Sequence, residues 1–400
     1  MIMQKETCKK VLVAGTLVLD VVPVFATSTS AHERFASGGT VYLEKIQTAL
    51  GGSVGNTGVA LHRLGADARL FTRVGEDAFG DLAKSLLGRT GCMFTAPAVG
   101  GMNTSASVIV APPESDRTIL HSRGASQRYT ATDIPEELLR ENDLLHFGYP
   151  TGMTCMFEDG GETLSGLFRR AKQAGTATSM DVSFPGVDTP AALADWREIL
   201  AKTLPNVDVF LPSYEELLML LHREKYLAMR RANPDMRMED ILDEALVSKM
   251  ANELLEMGAA IAVVKCGEAG AYCKTASGGR LATAGRLAPS LTAGWANREV
   301  WIAPYCAEPI RSTNGAGDTF VAGFLLGLLL GRTLEDTAAL AAASAASRLE
   351  SADAANGIPH YTEVEARIKD GWEQLPVPLK EWVRTGTKNL YERAREIEQR

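Results

Sequence analysis

The stretch Arg311-Ser312-Thr313-Asn314-Gly315-Ala316-Gly317-Asp318-Thr319-Phe320 runs directly into the apolar helical pattern FVAGFLLGLLL at 320–330. Small residues ahead of a helix start leave several backbone N–H groups without intrahelical partners, and the aligned peptide dipoles add partial positive charge at that end. Such a turn can hold a polyphosphate through main chain alone. Glycines at 315 and 317 permit close approach, because a side chain there would fill the space a phosphoryl group needs. Asp318, at the expected helix start near Thr319, then stands beside the transferring phosphate. Two readings of it are open. Aspartate is a favoured helix N-cap and could simply close the turn, or its carboxylate could take the proton of an acceptor hydroxyl as attack begins.

A second constellation, Leu50-Gly51-Gly52-Ser53-Val54-Gly55-Asn56-Thr57-Gly58-Val59-Ala60, precedes a helical pattern and is followed by RLGADARLFTRVGEDAFGD at 63–81. Its glycine pair lets a loop backbone press against a ligand. Asn56 offers both donor and acceptors, the two-way bonding that vicinal hydroxyls require. Taken alone, the glycine pair equally serves a turn before a helix.

Outward from these motifs, short apolar or β-branched runs alternate with helical patterns, the mark of an α/β domain around a parallel sheet. Strands are expected at 10–14, 69–74, 143–147, 178–181, 207–211 and 260–265, and helices at 55–64, 80–90, 161–174, 214–221, 240–257, 319–330 and 334–349. Residues 16–50 and 103–123 break the alternation and read as strands of a small projecting sheet, the second with a turn at 112–116. The charged segment 221–243 is expected to decorate the surface. Residues 371–400, highly charged and punctuated by prolines, are expected to form an appended helix or an oligomer contact.

Composition narrows the function. Four hundred residues with 46% apolar content supply a large core, and a net charge of -8 argues against a general binder of nucleic acid or membrane surfaces, which needs basic patches. Six cysteines without CxxC spacing suggest neither a zinc knuckle nor a disulfide scaffold. The opening MIMQKETCKK lacks a signal-peptide pattern, and the apolar runs are short or interrupted, so the expectation is a soluble cytoplasmic protein. There is no GxxxxGK[ST] loop, no HRD or DFG set and no HExxH. His146, in LLHFGYP, reads as a packing residue.

The GG-x-x-x-N stretch at 51–56, VGEDAFGD at 74–81 and TNGAGDTFVAGF at 313–324 together resemble the signatures of the ribokinase-like (PfkB) carbohydrate kinases. VDVFLPSYEEL at 207–217 is similar to that family's strand and N-x-x-E motif, and VVKCGEAGAY at 263–272 to its nucleotide-side strand and glycine turn. The likeness spans roughly residues 8–370 in the right order. It implies a three-layer α/β/α fold with a mostly parallel central sheet and a small β-sheet lid, ATP as donor and Mg2+ as cofactor, with a monovalent cation as a further candidate. A sugar-like small molecule is the implied acceptor, and a homodimer through the lid is a candidate assembly.

Carried residue by residue, the resemblance makes Asp318 the base and Gly315, Ala316 and Gly317 the anion hole. Asp20, Gly51, Gly52 and Asn56 would bind the acceptor's hydroxyls; Asp20 is otherwise a charge in an apolar strand that needs a partner. Lys265, Gly267, Gly270 and Thr313 would line the nucleotide site, and Glu216 would order Mg2+ through water, as that ion keeps several waters. Lys265 also reads as a strand-end surface charge, Glu216 as an exposed helix residue, and Asp181 as a turn former or part of a magnesium network. Ser312 and Ser213 depart from the family pattern, which often has Asp and Asn there. A nucleoside kinase of the same family and a noncatalytic sugar or nucleotide sensor are the alternatives. Sugar phosphates are a further acceptor class that no Lys/Arg cluster beside 51–56 supports.

Overall fold

The computed structural model describes residues 9–25, 40–112, 118–291, 293–351, 357–377, 379–386 and 390–394. Among these, eleven strands form one sheet. Its order from one edge is Trp382–Thr385, Leu390–Arg393, Glu299–Ile302, Ala271–Thr275, Ile261–Lys265, Val209–Phe210, Ala177–Asp181, Leu144–Gly148, Lys10–Gly15, Asp67–Phe71 and Met93–Thr95. The strands from Ile261–Lys265 to Met93–Thr95 pair in parallel, and those on the other side pair antiparallel.

Strand periodicity explains the three layers. Val11 and Val13 enter one core while Leu12 and Ala14 enter the other, and Val263 opposes Ala262 and Val264 in the same way. Both faces of a parallel sheet must be covered, so these strands are apolar throughout. One face is packed by the helices Val59–Leu64, Ala78–Thr90, Ala316–Leu329 and Leu334–Leu349, the other by Glu162–Gln173, Trp196–Thr203, Tyr214–Leu221 and Glu244–Glu256. The Ala316–Leu329 helix is apolar on every side because it is buried on every side.

The projecting segments form a separate four-stranded sheet, Leu43–Gly51, Val18–Phe25, Ala106–Val110 and Thr118–Ser122 in that order. The turn expected at 112–116 falls largely outside the described residues. Asp77 of the VGEDAFGD stretch roots this sheet. It caps the Ala78–Thr90 helix by accepting the Gly80 N–H at 2.8 Å, and it accepts the Thr104 N–H at 2.9 Å and the Thr104 hydroxyl at 2.6 Å, just ahead of Ala106–Val110.

Two expectations are corrected. The described part of 371–393 is not helical: Trp382–Thr385 and Leu390–Arg393 extend the main sheet, with Trp382 packed edge-on against Tyr272 and Trp301; residues 395–400 lie outside the described residues. Apolar residues in this charged tail close an edge that would otherwise expose unpaired strand groups. Segment 221–243 does more than decorate, since Tyr226 of the Arg223–Ala232 helix and Met238 are buried in the core.

Candidate active site

The helix behind the 311–320 stretch begins earlier than expected. Gly315, with φ 77° in the left-handed region, is its N-cap, and Ala316, Gly317 and Asp318 form its first turn. The first intrahelical bond runs from Thr319 N–H to Gly315 O at 2.9 Å, so the amides of 316–318 precede it and face outward. Asp318 therefore caps nothing. Its carboxylate, in a residue only 8% exposed, accepts from Thr57 Oγ1 at 2.8 Å and Tyr149 Oη at 2.6 Å on Oδ1, and from Asn56 Nδ2 at 3.1 Å on Oδ2. Of its two sequence readings, the capping one is excluded.

Asn56 and Thr57 reach Asp318 from a single wide turn, Val54–Gly58, that opens the Val59–Leu64 helix. Such π-type turns recur at functional sites because they push side chains out of helical register. Next to it, Gly51 ends its strand against Asp20: a Cβ on Gly51 would stand 2.4 Å from Asp20 Oδ2. Asp20 and Gly51 are thus in contact, Gly52 follows directly, and Asn56 bonds Asp318.

A cavity of about 570 Å³ opens on the other side. Lys265, Gly267, Gly270 and Thr313 all line it, together with Ala316 and Gly317 of the helix turn. Its deeper wall is apolar, from Ile302, Pro304, Tyr305, Phe320 and Leu349. Arg237, from the insertion, stands at this cavity and pairs with Glu268 at 3.0 Å and Asp240 at 2.7 Å.

Between the two sides lies a cluster of charge. Lys265 is no surface residue: its side chain is 14% exposed, and Nζ donates to Asp181 Oδ1 at 2.9 Å and to Leu211 O at 2.7 Å. Burial opposes its charge, but Asp181 and Glu216 outweigh that and hold it protonated. Asp181 is pushed up to about 7 by burial, against the pull of Lys265 and with Glu216 and Asp318 adding to the rise. Burial likewise raises Glu216 and Asp318 above the ordinary carboxylate range. Glu216 is half-buried in a capping box, accepting the Ser213 N–H at 2.7 Å while Ser213 Oγ accepts the Glu216 N–H at 3.2 Å. The serine at 213 is thus accounted for as a cap. His146 is fully buried, bonded through Nδ1 to Ser179 at 2.9 Å and driven down to about 3 by burial and Lys265, which makes it a neutral packing residue.

Sequence reasoning did not connect Thr57 or Tyr149, read there only as a base-stacking or core aromatic, with Asp318, on which both place a hydroxyl. Thr57 adjoins Asn56 in a quoted motif, but Tyr149 follows the Leu144–Gly148 strand with no motif around it. Its backbone carries the signal instead. Tyr149 has φ 64° and ψ 43°, a left-handed conformation that costs a non-glycine residue about 1–3 kcal/mol. A hydrogen bond to a charged group, worth about 1.5–3 kcal/mol, offsets strain of that size.

The model of the pfkB family carbohydrate kinases matches residues 10–360. The chain belongs to this family. Its members are phosphotransferases with an alcohol group as acceptor, and that is the class of this enzyme. An uncharacterized sugar kinase of Archaeoglobus fulgidus is 26% identical over 307 residues, covering 76% of this chain and all of the relative. A 5-dehydro-2-deoxygluconokinase of Clostridium perfringens is 23% identical over 331 residues, covering 81% of this chain and 85% of its own. Among solved structures, Arabidopsis thaliana ribokinase complexed with ribose and ATP superposes with a TM-score of 0.63 at 21% identity, covering 90% of this chain and 99% of that one. A carbohydrate kinase from Agrobacterium tumefaciens gives 0.65 at 18% identity, covering 92% and 98%. These likenesses establish the ribokinase-like fold, with its mostly parallel sheet and its small separate sheet. No helix among the described residues is long and apolar enough to cross a membrane.

Proposed function

We propose that this enzyme transfers the γ-phosphate of ATP to a hydroxyl of a sugar or sugar-like acceptor in the cytoplasm, with Asp318 as general base and the amides of Gly315, Ala316 and Gly317 as the anion hole. The observation that carries the reading is the position of Asp318. Its carboxylate touches Asn56 on the acceptor side and belongs to the helix turn that lines the cavity on the other. An acceptor alcohol reaching Asp318 would lose its proton to the carboxylate as its oxygen attacks the phosphorus in line, while the outward amides and Lys265 stabilise the charge that develops on the phosphoryl oxygens. Thr313, Gly267 and Gly270 would contact the nucleotide, whose base fits the apolar wall beside Tyr305 and Phe320. Asp20, Gly51, Gly52 and Asn56 would bind the acceptor's other hydroxyls. The small sheet would close as a lid that excludes water, and its exposed Ile46, Ile119 and Leu120 suit a homodimer contact.

Mg2+ fits the oxygen donors of Glu216 and Asp181. Burial is the main reason their proton affinities rise and the neighbouring carboxylates add to it, and a divalent cation arriving with the nucleotide would relieve that crowding. When bound, it would neutralise phosphate charge.

Acceptors worth testing first are those in the relatives' names, D-ribose and 5-dehydro-2-deoxygluconate, alongside sugar acids, nucleosides and sugar phosphates. ADP formation coupled to an oxidation assay is expected to respond to one of the sugar or sugar-acid acceptors, and the Asp318→Asn enzyme is expected to lose that response. Near-parental turnover in Asp318→Asn overturns the assignment of the base.

A further inference from the structure

Tyr149 faces Asp318 from the acceptor side, and the reaction as written above does not use it. Its backbone is pinned at both ends: the Tyr149 N–H donates to Asp181 O at 3.0 Å, and the Gly152 N–H donates to Tyr149 O at 3.0 Å. The residue is left-handed immediately before Pro150, a neighbour that favours extended conformations. What this costly arrangement achieves is the direction of the ring. The phenol O–H donates to Asp318 Oδ1 at 2.6 Å, the shortest of the three bonds to that carboxylate. Thr57 donates to the same oxygen, so both lone pairs of Oδ1 are taken. A third hydroxyl cannot bind Oδ1 until one of the two leaves. Thr57 is completely buried, whereas the Tyr149 residue keeps some exposed surface, so it is the less enclosed of the two donors.

We propose that Tyr149 is a placeholder for the acceptor alcohol: its phenol occupies, on Asp318 Oδ1, the position that the attacking hydroxyl takes, and acceptor binding displaces it. This rests on Asp318 being the base. The exchange swaps one hydroxyl donor for another, so the carboxylate loses no hydrogen bond. The proton that Asp318 then accepts is the alcohol's own, and the oxygen it leaves behind attacks the phosphate. Tyr149 does not titrate in this step, since burial and the neighbouring carboxylates Asp318, Asp181 and Glu216 hold its phenol protonated. Two consequences follow from occupancy alone. Water, itself a hydroxyl donor, is kept off the base when no acceptor is bound. The acceptor's apparent affinity is lowered by the fraction of time the phenol is in place.

The test uses the full chain with ATP and Mg2+ and no acceptor, measuring ADP release. Tyr149→Phe keeps the ring and removes the hydroxyl, and is expected to raise acceptor-free ATP hydrolysis about tenfold over the parent. Tyr149→Met, which keeps apolar bulk without a ring, gives a second reading should the phenylalanine variant fold poorly, and is expected to behave alike. Adding Asp318→Asn to either variant is expected to return hydrolysis to background. With an acceptor found by the screen above, KM is expected to fall about tenfold while kcat changes little. A purely structural Tyr149 would lower both rates together, and hydrolysis at or below the parental level in both folded variants overturns the placeholder. Acceptor phosphorylation by Asp318→Asn separates the two failures: if it matches the parent, the base assignment itself is lost, whereas an inactive Asp318→Asn beside unraised Tyr149 variants removes only the placeholder.

Discussion

Two buried charge clusters sit at opposite ends of the same sheet and are built to opposite balances. At the amino ends of the central strands, the Asp208 side chain is 1% exposed and meets two cations: Lys172 Nζ lies 2.8 Å from each of its oxygens and Arg280 2.9 Å away, with the Thr178 N–H donating at 3.0 Å. At the carboxyl ends, Asp181, Glu216 and Asp318 share the single ammonium of Lys265. One acid with two cations is satisfied by the protein itself. Three acids with one cation leave negative charge without a counter-ion, and the carboxyl ends of the strands are where α/β sheets bind ligands. Surplus of charge over partners, rather than burial of charge, separates a site from a structural tie.

Substitutions can break that contrast. The largest effect is expected at the ligand end, where Asp318→Asn lowers turnover by about 100-fold to 10,000-fold with ATP affinity held, checked by steady-state kinetics and calorimetry. Asp208→Asn should do the reverse. Stranding Lys172 and Arg280 costs about 3 kcal/mol of stability, the low end for a broken buried pair because both cations are partly exposed, while turnover per folded molecule stays near parental. Urea midpoints read against specific activity decide this.

Acidity sharpens the contrast further. Folded Asp181 keeps its proton up to about pH 7, whereas an unfolded aspartate releases it near 4, so between those values the folded state binds more protons. The sign is then fixed: ligand-free stability falls as pH rises from about 4 to about 7. Asp181→Asn is expected to flatten that slope, seen in melting temperatures across the range. The smallest effect is expected from Ser213→Ala, which removes the cap of the Tyr214–Leu221 helix at about 1 kcal/mol. It also frees Glu216, so the Mg2+ concentration for half-maximal rate should rise.

Much of the site was legible because its parts are local. The glycine-rich turn, the Gly51-Gly52 loop and the strand-end Lys265 each declare themselves within ten residues, and the structure puts Gly51 against Asp20, Asn56 against Asp318 and Lys265 against Asp181. Gly315 and Asp318 were legible as a turn but not in phase, because propensity does not show whether an aspartate caps a helix or sits one turn inside it. The tail was misread for a related reason. Charge density suggested a solvated helix, yet Trp382 and Leu390 bury against the sheet edge, and edge pairing is set by what lies across the gap.

By itself the sequence determined the α/β class, the parallel strands and the family, since apolar periodicity and short glycine motifs act over a few residues. Only the tertiary structure decided that Asn56 and Asp318, 262 positions apart, share a hydrogen bond, that Lys265 is buried among carboxylates, and that a strained Tyr149 points at Asp318. The reason is physical: proton affinity and occupancy depend on which groups lie within a few ångströms, and chain folding sets those distances independently of separation along the sequence.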